Sequence, residues 1–275
     1  MTREALTAST DALRAAGIDE PRLDAELLLA AATGWDRARL AARPDAEIPP
    51  GASRRFAEMV RRRLRREPVA YILGRRGFRR LELAVDPRVL IPRPETELLV
   101  ELALELRPGS VLDVGTGSGA IALAIADELP QSAVTALDTS PAALELAREN
   151  AERVGLASRV EFALGTVPPA EGGFELVVAN LPYVSEAEWD GLQPEVREWE
   201  PRAALLAGAD GLDAIRAVIP ELAGRAEVLA LEVGIGQAET VGGLLRAAGF
   251  DAIETRPDLA GIPRVVIGRR EMRAA

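Results

Sequence analysis

The sequence predicts an α/β fold in which a mostly parallel sheet is covered by helices on both faces, with a small helical domain before it. From residue 110 onward, short apolar runs alternate with segments of helical periodicity. Strands that are apolar along their whole length are typical of a parallel sheet buried on both faces. The last two strands, near 252–255 and 265–268, have no helix between them. They are therefore expected to be antiparallel.

Three parts of the chain differ in periodicity. Residues 1–74 repeat leucine at helical spacing, with breaks at Gly17 and Gly34, and are predicted to form an N-terminal helical domain. Residues 75–92 are predicted to form a β-hairpin linker. Residues 93–275 carry the sheet and form the third, largest domain.

The linker is predicted from a change of period to two. Leu81, Leu83 and Val85 alternate with other residues, a turn is expected at 86–88, and an apolar return follows at 89–91.

The elements of the large domain follow in order. A helix is predicted over 95–106. The predicted strands are 111–114, 133–137, 160–163, 174–179, 227–233, 252–255 and 265–268. The predicted helices between them are 120–129, 141–154, 212–222 and 238–248.

The composition excludes several classes of site. The chain has 275 residues, without cysteine or histidine, so disulfide bonds and zinc sites of the usual ligands are excluded and no metal is expected. A net charge of -10 argues against stable nucleic-acid binding, which normally uses a basic surface. Without a long apolar segment or a signal-peptide core, we expect a cytoplasmic protein that does not enter a membrane.

All basic side chains are arginines, and many of them lie between Arg54 and Arg80. An alanine-rich and arginine-rich composition is typical of a genome rich in G and C. The other interpretation is a docking face for an acidic or phosphate-bearing partner. Composition leaves both interpretations open.

A glycine-rich segment lies between a predicted strand and a predicted helix. Glycines in such a loop let the backbone turn tightly and approach a ligand closely. We therefore predict that this loop binds a cofactor through Asp113, Gly115, Thr116, Gly117, Ser118 and Gly119.

Two cofactors fit this loop. Gly115, Gly117 and Ala120 match the G-x-G-x-x-A spacing of NAD-binding proteins. Asp113 favours S-adenosyl-L-methionine (AdoMet), because a carboxylate can bear on its ammonium group, directly or through water, and would repel a pyrophosphate. Asp138, which ends the next strand, can accept both ribose hydroxyls of either cofactor.

A second motif, Asn180-Leu181-Pro182-Tyr183, directly follows the strand predicted at 174–179. It suits a planar amino group, such as a primary amide or the exocyclic amine of adenine, whose delocalised lone pair attacks a methyl group poorly. The Asn180 side-chain oxygen and a backbone carbonyl can accept the two N–H groups and orient the nitrogen toward a methyl donor. Pro182 would stiffen the turn, and the Tyr183 ring would stack on the acceptor. An ordinary turn after a strand is the structural alternative.

Together the two motifs predict an AdoMet-dependent N-methyltransferase. The predicted catalytic residues are Asn180, Pro182 and Tyr183. The predicted substrate-binding residues are Asn180, Leu181, Pro182 and Tyr183.

At these residues the chain resembles the release factor glutamine methyltransferases, the PrmC or HemK family of protein-(glutamine-N5) methyltransferases. The most specific segment is Ile91-Pro92-Arg93-Pro94-Glu95-Thr96-Glu97, which has no counterpart in methyltransferases generally. The other segments that carry the resemblance are 67–74, 89–90, the glycine loop, 180–183, 200–205 and 231–234, with Phe78. The resemblance covers nearly the whole chain.

The resemblance implies a Rossmann-like class I methyltransferase domain with a seven-stranded sheet, and an N-terminal domain that helps to hold a class 1 peptide-chain release factor. The implied reaction methylates the side-chain amide of the glutamine in the factor's Gly-Gly-Gln loop and yields S-adenosyl-L-homocysteine. The resemblance also implies that Asn180 contacts the cofactor.

Two positions depart from the family pattern. Leu181 stands where the family usually has proline, but that position is expected to contribute its backbone carbonyl. Gly165-Thr166-Val167 stands where relatives often have an acid and an aromatic residue near the adenine.

Two alternatives to this function remain open. Asn-Leu-Pro-Tyr is also used by enzymes that methylate adenine N6 in ribosomal RNA, although the acids between Glu186 and Glu200 would disfavour phosphate. The other alternative is a non-enzymatic adaptor that binds the release factor, against which the presence of both Asn180 and Tyr183 argues.

Overall fold

The computed structural model describes residues 1–167 and 172–270. The chain divides into two compact units. The first comprises Met1–Arg75 and Gln193–Trp199, and the second comprises Arg76–Leu192 and the chain from Glu200 onward. The N-terminal unit thus includes the segment 193–199, which the periodicity had placed in the large domain.

The described residues form helices and strands in the following order. The α-helices are α1 Thr2–Ala15, α2 Pro21–Thr33, α3 Arg37–Ala42, α4 Pro50–Leu64, α5 Val69–Leu73, α6 Glu97–Leu106, α7 Ala120–Glu128, α8 Pro141–Arg153, α9 Pro194–Trp199, α10 Asp213–Ala223 and α11 Ala238–Ala247. The strands are β1 Arg75–Phe78, β2 Leu81–Ala84, β3 Ser110–Val114, β4 Ala133–Asp138, β5 Val160–Leu164, β6 Phe174–Ala179, β7 Ala226–Glu232, β8 Ala252–Pro257 and β9 Pro263–Arg269. Among the described helices, none is long and apolar enough to cross a membrane.

The N-terminal unit is built around an apolar core of helix-borne side chains. Leu13, Leu28 and Leu29 are fully buried, and Phe56 of α4 packs against them. The leucine periodicity predicted this arrangement. Gly34 ends α2 in the left-handed conformation with φ 71°, which a glycine adopts without the steric cost of a Cβ.

A buried arginine crosslinks three segments of this unit. The Arg63 Nε atom donates to Asp24 Oδ2 at 2.7 Å, and its Nη1 atom lies 2.7 Å from Glu195 Oε1 in α9. The Arg66 guanidinium pairs with the same Glu195 carboxylate at 2.6 Å. Because Arg63 is only 6% exposed, its charge is balanced by these acids rather than by water.

A hairpin forms, and one of its strands, β2, matches the predicted alternating segment, but its partner strand precedes it instead of following it. Its strands are β1 and β2, and they are joined at Arg79 and Arg80. Arg79 has φ 52° and its guanidinium bonds to both oxygens of Glu128 at 2.9 and 3.0 Å. The predicted return strand at 89–91 is wrong: these residues form a loop, and their apolar side chains pack as part of the wall described below.

The large unit contains a seven-stranded sheet in the order β5-β4-β3-β6-β7-β9-β8. Strands β3 to β7 are parallel to one another, and β9 is antiparallel to both β7 and β8. The predicted sheet with an antiparallel final pair is confirmed. Helices α6, α7 and α8 pack with one buried cluster and α10 and α11 with another, so the sheet is covered on both faces.

We expect Arg63→Ala to lower the free energy of unfolding of the N-terminal unit by about 3–5 kcal/mol, because Asp24 would lose its buried partner. Urea unfolding followed by tryptophan fluorescence would measure this change. Arg61→Ala is the matched control, since Arg61 lies in the same helix and is 66% exposed, and its effect should stay within about 0.5 kcal/mol. Equal unfolding midpoints for the two variants would show that the buried ion pair contributes little.

Candidate active site

The candidate site lies at the carboxyl edge of the parallel strands, where the strand order reverses. Strand β4 lies on one side of β3 and β6 lies on the other. Loops that leave two such strands diverge and create a crevice, which is the common ligand site of open α/β sheets. A cavity of about 370 Å³ occupies this position. Its lining includes residues of the glycine loop, the end of β4, the Asn-Leu-Pro motif and the segments 88–96 and 201–204.

The glycine loop turns directly off β3. The backbone N–H groups of Gly115 and Thr116 both donate to the Leu137 carbonyl of β4 at 2.8 Å. Gly115 has φ 77°, and a Cβ on it would lie 3.1 Å from Leu181 and 3.4 Å from the Asn180 carbonyl oxygen. The absence of a side chain at Gly115 therefore lets the turns after β3 and β6 touch.

Four of the predicted loop residues line the cavity: Gly115, Thr116, Gly117 and Ser118. Gly119 is not part of the lining. It precedes α7 with φ 82°, and a Cβ there would lie 3.0 Å from Leu123 and 3.4 Å from Ala147. Gly119 thus permits close packing of α7 behind the loop.

Asp113 stabilises the glycine loop from the buried side, within β3. Its carboxylate is fully buried, and Oδ2 accepts from the Thr116 hydroxyl at 2.6 Å and from the Ala122 backbone N–H at 3.2 Å. It does not line the cavity. Its Oδ1 atom has no hydrogen-bond partner among the described residues, so a contact with the cofactor ammonium, directly or through water, stays a prediction. Burial raises the pKa of Asp113 to about 7.

Asp138 lies where the sequence placed it, at the end of β4 and in the cavity wall. Its two oxygens accept backbone N–H groups from Gly117 at 2.8 Å and from Ser140 at 2.8 Å. Each carboxylate oxygen has a second lone pair, so the group retains acceptor capacity for a diol. These bonds also fix Asp138 against the glycine loop.

Asn180, Leu181 and Pro182 line the same cavity, immediately after β6. The Asn180 side chain donates from Nδ2 to the Thr96 hydroxyl oxygen at 3.0 Å. With its nitrogen engaged there, its Oδ1 atom is the acceptor that the side chain has left to offer. Leu181 is 7% exposed and packs against the glycine loop at Gly115.

Tyr183 is placed differently from the prediction. It is not in the cavity lining, and its hydroxyl donates to Glu232 Oε1 at 3.3 Å. Its ring lies against Gly234, where an added Cβ would come within 3.2 Å of the Tyr183 Cδ2 atom. Its carbonyl accepts from Gln237 at 2.9 Å. The ring is thus anchored on the β7 side, and its stacking on a substrate stays a prediction.

Three residues of the site were not assigned from the sequence: Thr96, Glu200 and Glu232. Glu200 is 5% exposed, accepts from the Ile91 backbone N–H at 3.0 Å and forms an ion pair with Arg93. It thereby holds the 91–93 segment as one wall of the cavity. The only signal for these roles was membership of the family-like segments 91–97, 200–205 and 231–234, which gives no partner.

Gly165 and Thr166 line the cavity beyond Asp138. These small residues stand where the resemblance leads one to expect an acid and an aromatic side chain. Leu164, just before them, is 61% exposed. The described residues thus provide a backbone wall at this end rather than a ring stack.

The site fits AdoMet better than a dinucleotide. A cavity acceptor, Asp138, and a fully buried carboxylate oxygen, Asp113 Oδ1, which has no hydrogen-bond partner among the described residues, lie beside the loop. Such acceptors suit hydroxyl and ammonium donors and oppose a pyrophosphate. Gly117, where an added Cβ would have no neighbour within 4 Å, leaves the loop surface open to a ligand.

The chain matches two family descriptions, the PrmC N-terminal domain over residues 4–74 and a methyltransferase domain over residues 111–199. The release factor glutamine methyltransferase of Geobacter sulfurreducens is 45% identical over 260 residues, which cover 92% of this chain and 91% of that protein. That of Moorella thermoacetica is 44% identical over 278 residues and 98% of each chain. The solved hMettl16 catalytic domain in complex with MAT2A 3'UTR hairpin 6 has a TM-score of 0.59, covering 70% of this chain and 77% of that one at 12% identity.

The fold and the site define a class I methyltransferase that uses AdoMet as its cofactor. The structural likeness to hMettl16 supports the fold alone, because the sequences are so different. The identity to full-length relatives is more specific. The chain belongs to the release factor glutamine methyltransferase family.

The two buried carboxyls predict how stability depends on pH. Burial raises the pKa of Asp113 and that of Glu232 to about 7, whereas both groups titrate near about 4 in an unfolded chain. Between these values the folded state binds more protons than the unfolded state, so the free energy of unfolding decreases as the pH rises from about 4 to about 7. For Asp113 the full effect is up to about 4 kcal/mol.

We expect Asp113→Asn to reduce the loss of melting temperature between about pH 5.5 and about pH 8, because an amide does not titrate there. The amide oxygen can still accept from Thr116 and Ala122. Thermal unfolding at the two pH values would measure the difference. Asp127→Asn, at an exposed position of α7, should keep the wild-type dependence. An unchanged pH dependence in Asp113→Asn would contradict the assigned cause.

Proposed function

We propose that this chain methylates N5, the side-chain amide nitrogen, of the glutamine in the Gly-Gly-Gln motif of class 1 peptide-chain release factors, and so supports translation termination. One observation carries the proposal beyond family membership. The Asn180 amide is held by Thr96 through its nitrogen, at the tip of β6 and beside the glycine turn after β3. The acceptor oxygen of Asn180 is therefore available for an N–H group in a cavity that fits the methyl donor.

The acceptor must be held because its nitrogen is a weak nucleophile. When bound, AdoMet supplies an electrophilic methyl group on a positively charged sulfur. Asn180 Oδ1 would accept one N–H of the substrate amide, and the Leu181 carbonyl would accept the other. Two such bonds fix the plane of the amide, so that a face of its nitrogen rather than its edge meets the methyl carbon.

Transfer forms a carbon–nitrogen bond and breaks a carbon–sulfur bond. The substrate nitrogen becomes far more acidic once it carries the methyl group, so its proton can leave to water afterwards. This order requires no strong base, which agrees with a chain that contains no histidine. Pro182 would restrict the turn that presents the two acceptors, because its ring fixes φ.

Methylation of adenine is not favoured. The relatives at 41–45% identity over nearly the full chain are release factor glutamine methyltransferases. The charge argument alone is weaker than the sequence suggested, since Glu195 is paired with Arg63 and Arg66, and Glu200 is paired with Arg93. Those two acids are neutralised within the protein and contribute little to repulsion of phosphate.

For the docking of the protein substrate, the structure reduces the arginine-rich segment to a few candidates. Arg62 bonds to both oxygens of Glu67, and Arg63 and Arg66 pair with Glu195. Arg62 is therefore a structural residue, and it is a poor choice for a docking test.

Arg54 and Arg65 are exposed, and neither forms an ion pair with another described residue. Arg54 lies in the second turn of α4 and Arg65 is the residue that caps its C-terminal end. Eleven residues apart, they fall on one face, with Arg61, which pairs with Glu58, between them. This arginine face of α4, formed by Arg54, Arg61 and Arg65, would favour an acidic surface on the release factor.

The function is tested by incubating the purified enzyme with methyl-labelled AdoMet and either the cognate release factor or naked ribosomal RNA. We expect label in the release factor, located by mass spectrometry at the glutamine of Gly-Gly-Gln. Asn180→Ala should bind AdoMet with little change in calorimetry but lose at least about 100-fold in kcat, because the substrate amide loses an oriented acceptor. Label in RNA alone would overturn the proposed function, and wild-type turnover by Asn180→Ala would overturn the mechanism.

Charge reversal of the arginine face tests the docking proposal. We expect the double variant Arg54→Glu with Arg65→Glu to raise KM for the release factor about tenfold and to leave kcat nearly unchanged, because the face would act in association only. Arg14→Glu with Arg43→Glu is the matched control, because both residues are exposed in the same unit and the total charge change is the same. If both variants have the wild-type KM, this face does not dock the substrate.

A further inference from the structure

Two residues of the Asn-Leu-Pro-Tyr motif converge on one buried carboxylate. Tyr183 donates its hydroxyl to Glu232 Oε1 at 3.3 Å. Asn180 donates its side-chain nitrogen to Thr96 Oγ1 at 3.0 Å, and the Thr96 hydroxyl lies beside Glu232, where it lowers the carboxyl pKa. Glu232 is the last residue of β7 and is 2% exposed. Neither Glu232 nor Thr96 had been assigned a role from the sequence.

The proton of the threonine hydroxyl decides which way the Asn180 amide points. A hydroxyl has one proton to donate and two lone pairs that accept. When that proton is directed to the Glu232 carboxylate, the Thr96 oxygen can only accept. The Asn180 amide must then present its NH2 group to Thr96, and its oxygen faces the cavity.

If the Asn180 amide were rotated so that its oxygen and nitrogen exchanged places, it would lose hydrogen bonds at both atoms. Its oxygen would face a threonine oxygen without a proton to offer, and its NH2 group would face the NH2 group of the substrate. Both contacts leave polar groups unpaired in a buried site, which costs more than a hydrogen bond to water would return.

We propose that Glu232 is a positioning residue, which acts through the Thr96 hydroxyl to hold the Asn180 carbonyl toward the substrate amide and through the Tyr183 hydroxyl to fix the far end of the same turn. This inference rests on the proposed function and adds two residues to its site. Thr96 and Glu232 never exchange a group with the substrate. They set the direction of the residue that binds it.

The surroundings of Glu232 explain why its charge matters. Its second oxygen, Oε2, is buried without a hydrogen-bond partner among the described residues. The ionisable groups that face it are Tyr183, Glu95 from the turn before α6 and Arg264 from β9. Burial raises its pKa to about 7, so an appreciable part of the protein carries a neutral Glu232 below that value. A neutral carboxyl can donate as well as accept, and it then no longer dictates the direction of the Thr96 proton.

The test compares isosteric changes at Thr96. Thr96→Val removes the hydroxyl and retains the shape, and we expect kcat to fall about 10- to 100-fold while AdoMet affinity from calorimetry changes by less than about threefold. Thr96→Ser retains the hydroxyl and should keep kcat within about threefold of the wild type. Equal losses in the two variants would assign Thr96 to packing and overturn the proposal.

The pH profile tests the carboxylate. We expect wild-type kcat to decline as the pH falls below about 7, because protonated Glu232 releases the Thr96 proton. Glu232→Gln should lower kcat about 3- to 10-fold and abolish this limb, since glutamine does not titrate. Glu227→Gln, an exposed change in the same strand, should retain both kcat and the limb. If kcat of Glu232→Gln still declines below about pH 7, the inference is contradicted. If the decline is lost in Asp113→Asn instead, it arises from the Asp113 carboxyl.

A measurement without turnover separates this inference from the proposed function. The side-chain amide signals of Asn180, identified by their loss in Asn180→Ala, should be sharp and protected from exchange in the wild type and broadened in Thr96→Val. If they behave alike in the two proteins, the positioning role is wrong even when release factor is methylated. If the amide responds as expected but release factor is never labelled, the proposed function fails and the positioning stands.

Discussion

The site depends on the parallel pairing of β3 with β6 at the point where the strand order reverses. In register, Val114 of β3 pairs with Ala179 of β6, so the glycine loop and the Asn180 turn leave the sheet at the same height. Glycine at position 115 favours this close approach, since its φ of 77° strains any other residue and a Cβ there would lie 3.1 Å from Leu181. One backbone constraint therefore brings the donor wall and the acceptor wall of a single cavity together.

Much of this arrangement could be predicted from the sequence, because the motifs lie at the ends of apolar strands. Gly115, Asp138 and Asn180 each follow an apolar strand, and parallel strands bring their carboxyl ends to one edge. The strand order that makes β3 and β6 neighbours was not predicted, because periodicity gives the elements and not their order in the sheet. The failures have a local cause as well: Val89 and Ile91 are apolar because they pack near the cavity, so alternation read them as a strand.

The roles of the buried charges could not be read from the sequence. Asp113 was predicted to bear on the ligand, and nothing in the sequence indicated that one of its oxygens holds Thr116 and the start of α7. Glu200 and Glu232 looked like loop and strand residues, although Glu200 accepts from the Ile91 backbone beside the cavity and Glu232 accepts from the Tyr183 hydroxyl behind it. Which way a side chain points depends on the pleat and on neighbours far away in the chain. A carboxylate at a strand tip can therefore serve the ligand or the loop with the same local sequence.

The bond between Arg66 and Glu195 joins residues that are 129 positions apart, and both belong to the N-terminal unit. During synthesis the first five helices emerge from the ribosome long before α9 does. Until then, Asp24 is the one acidic side chain within the described chain that pairs with Arg63, and Arg66 lacks its Glu195 partner. The N-terminal unit is translated first, but it is completed only after most strands of the sheet have been synthesised. Its final ion pairs therefore depend on how far the large unit has been translated.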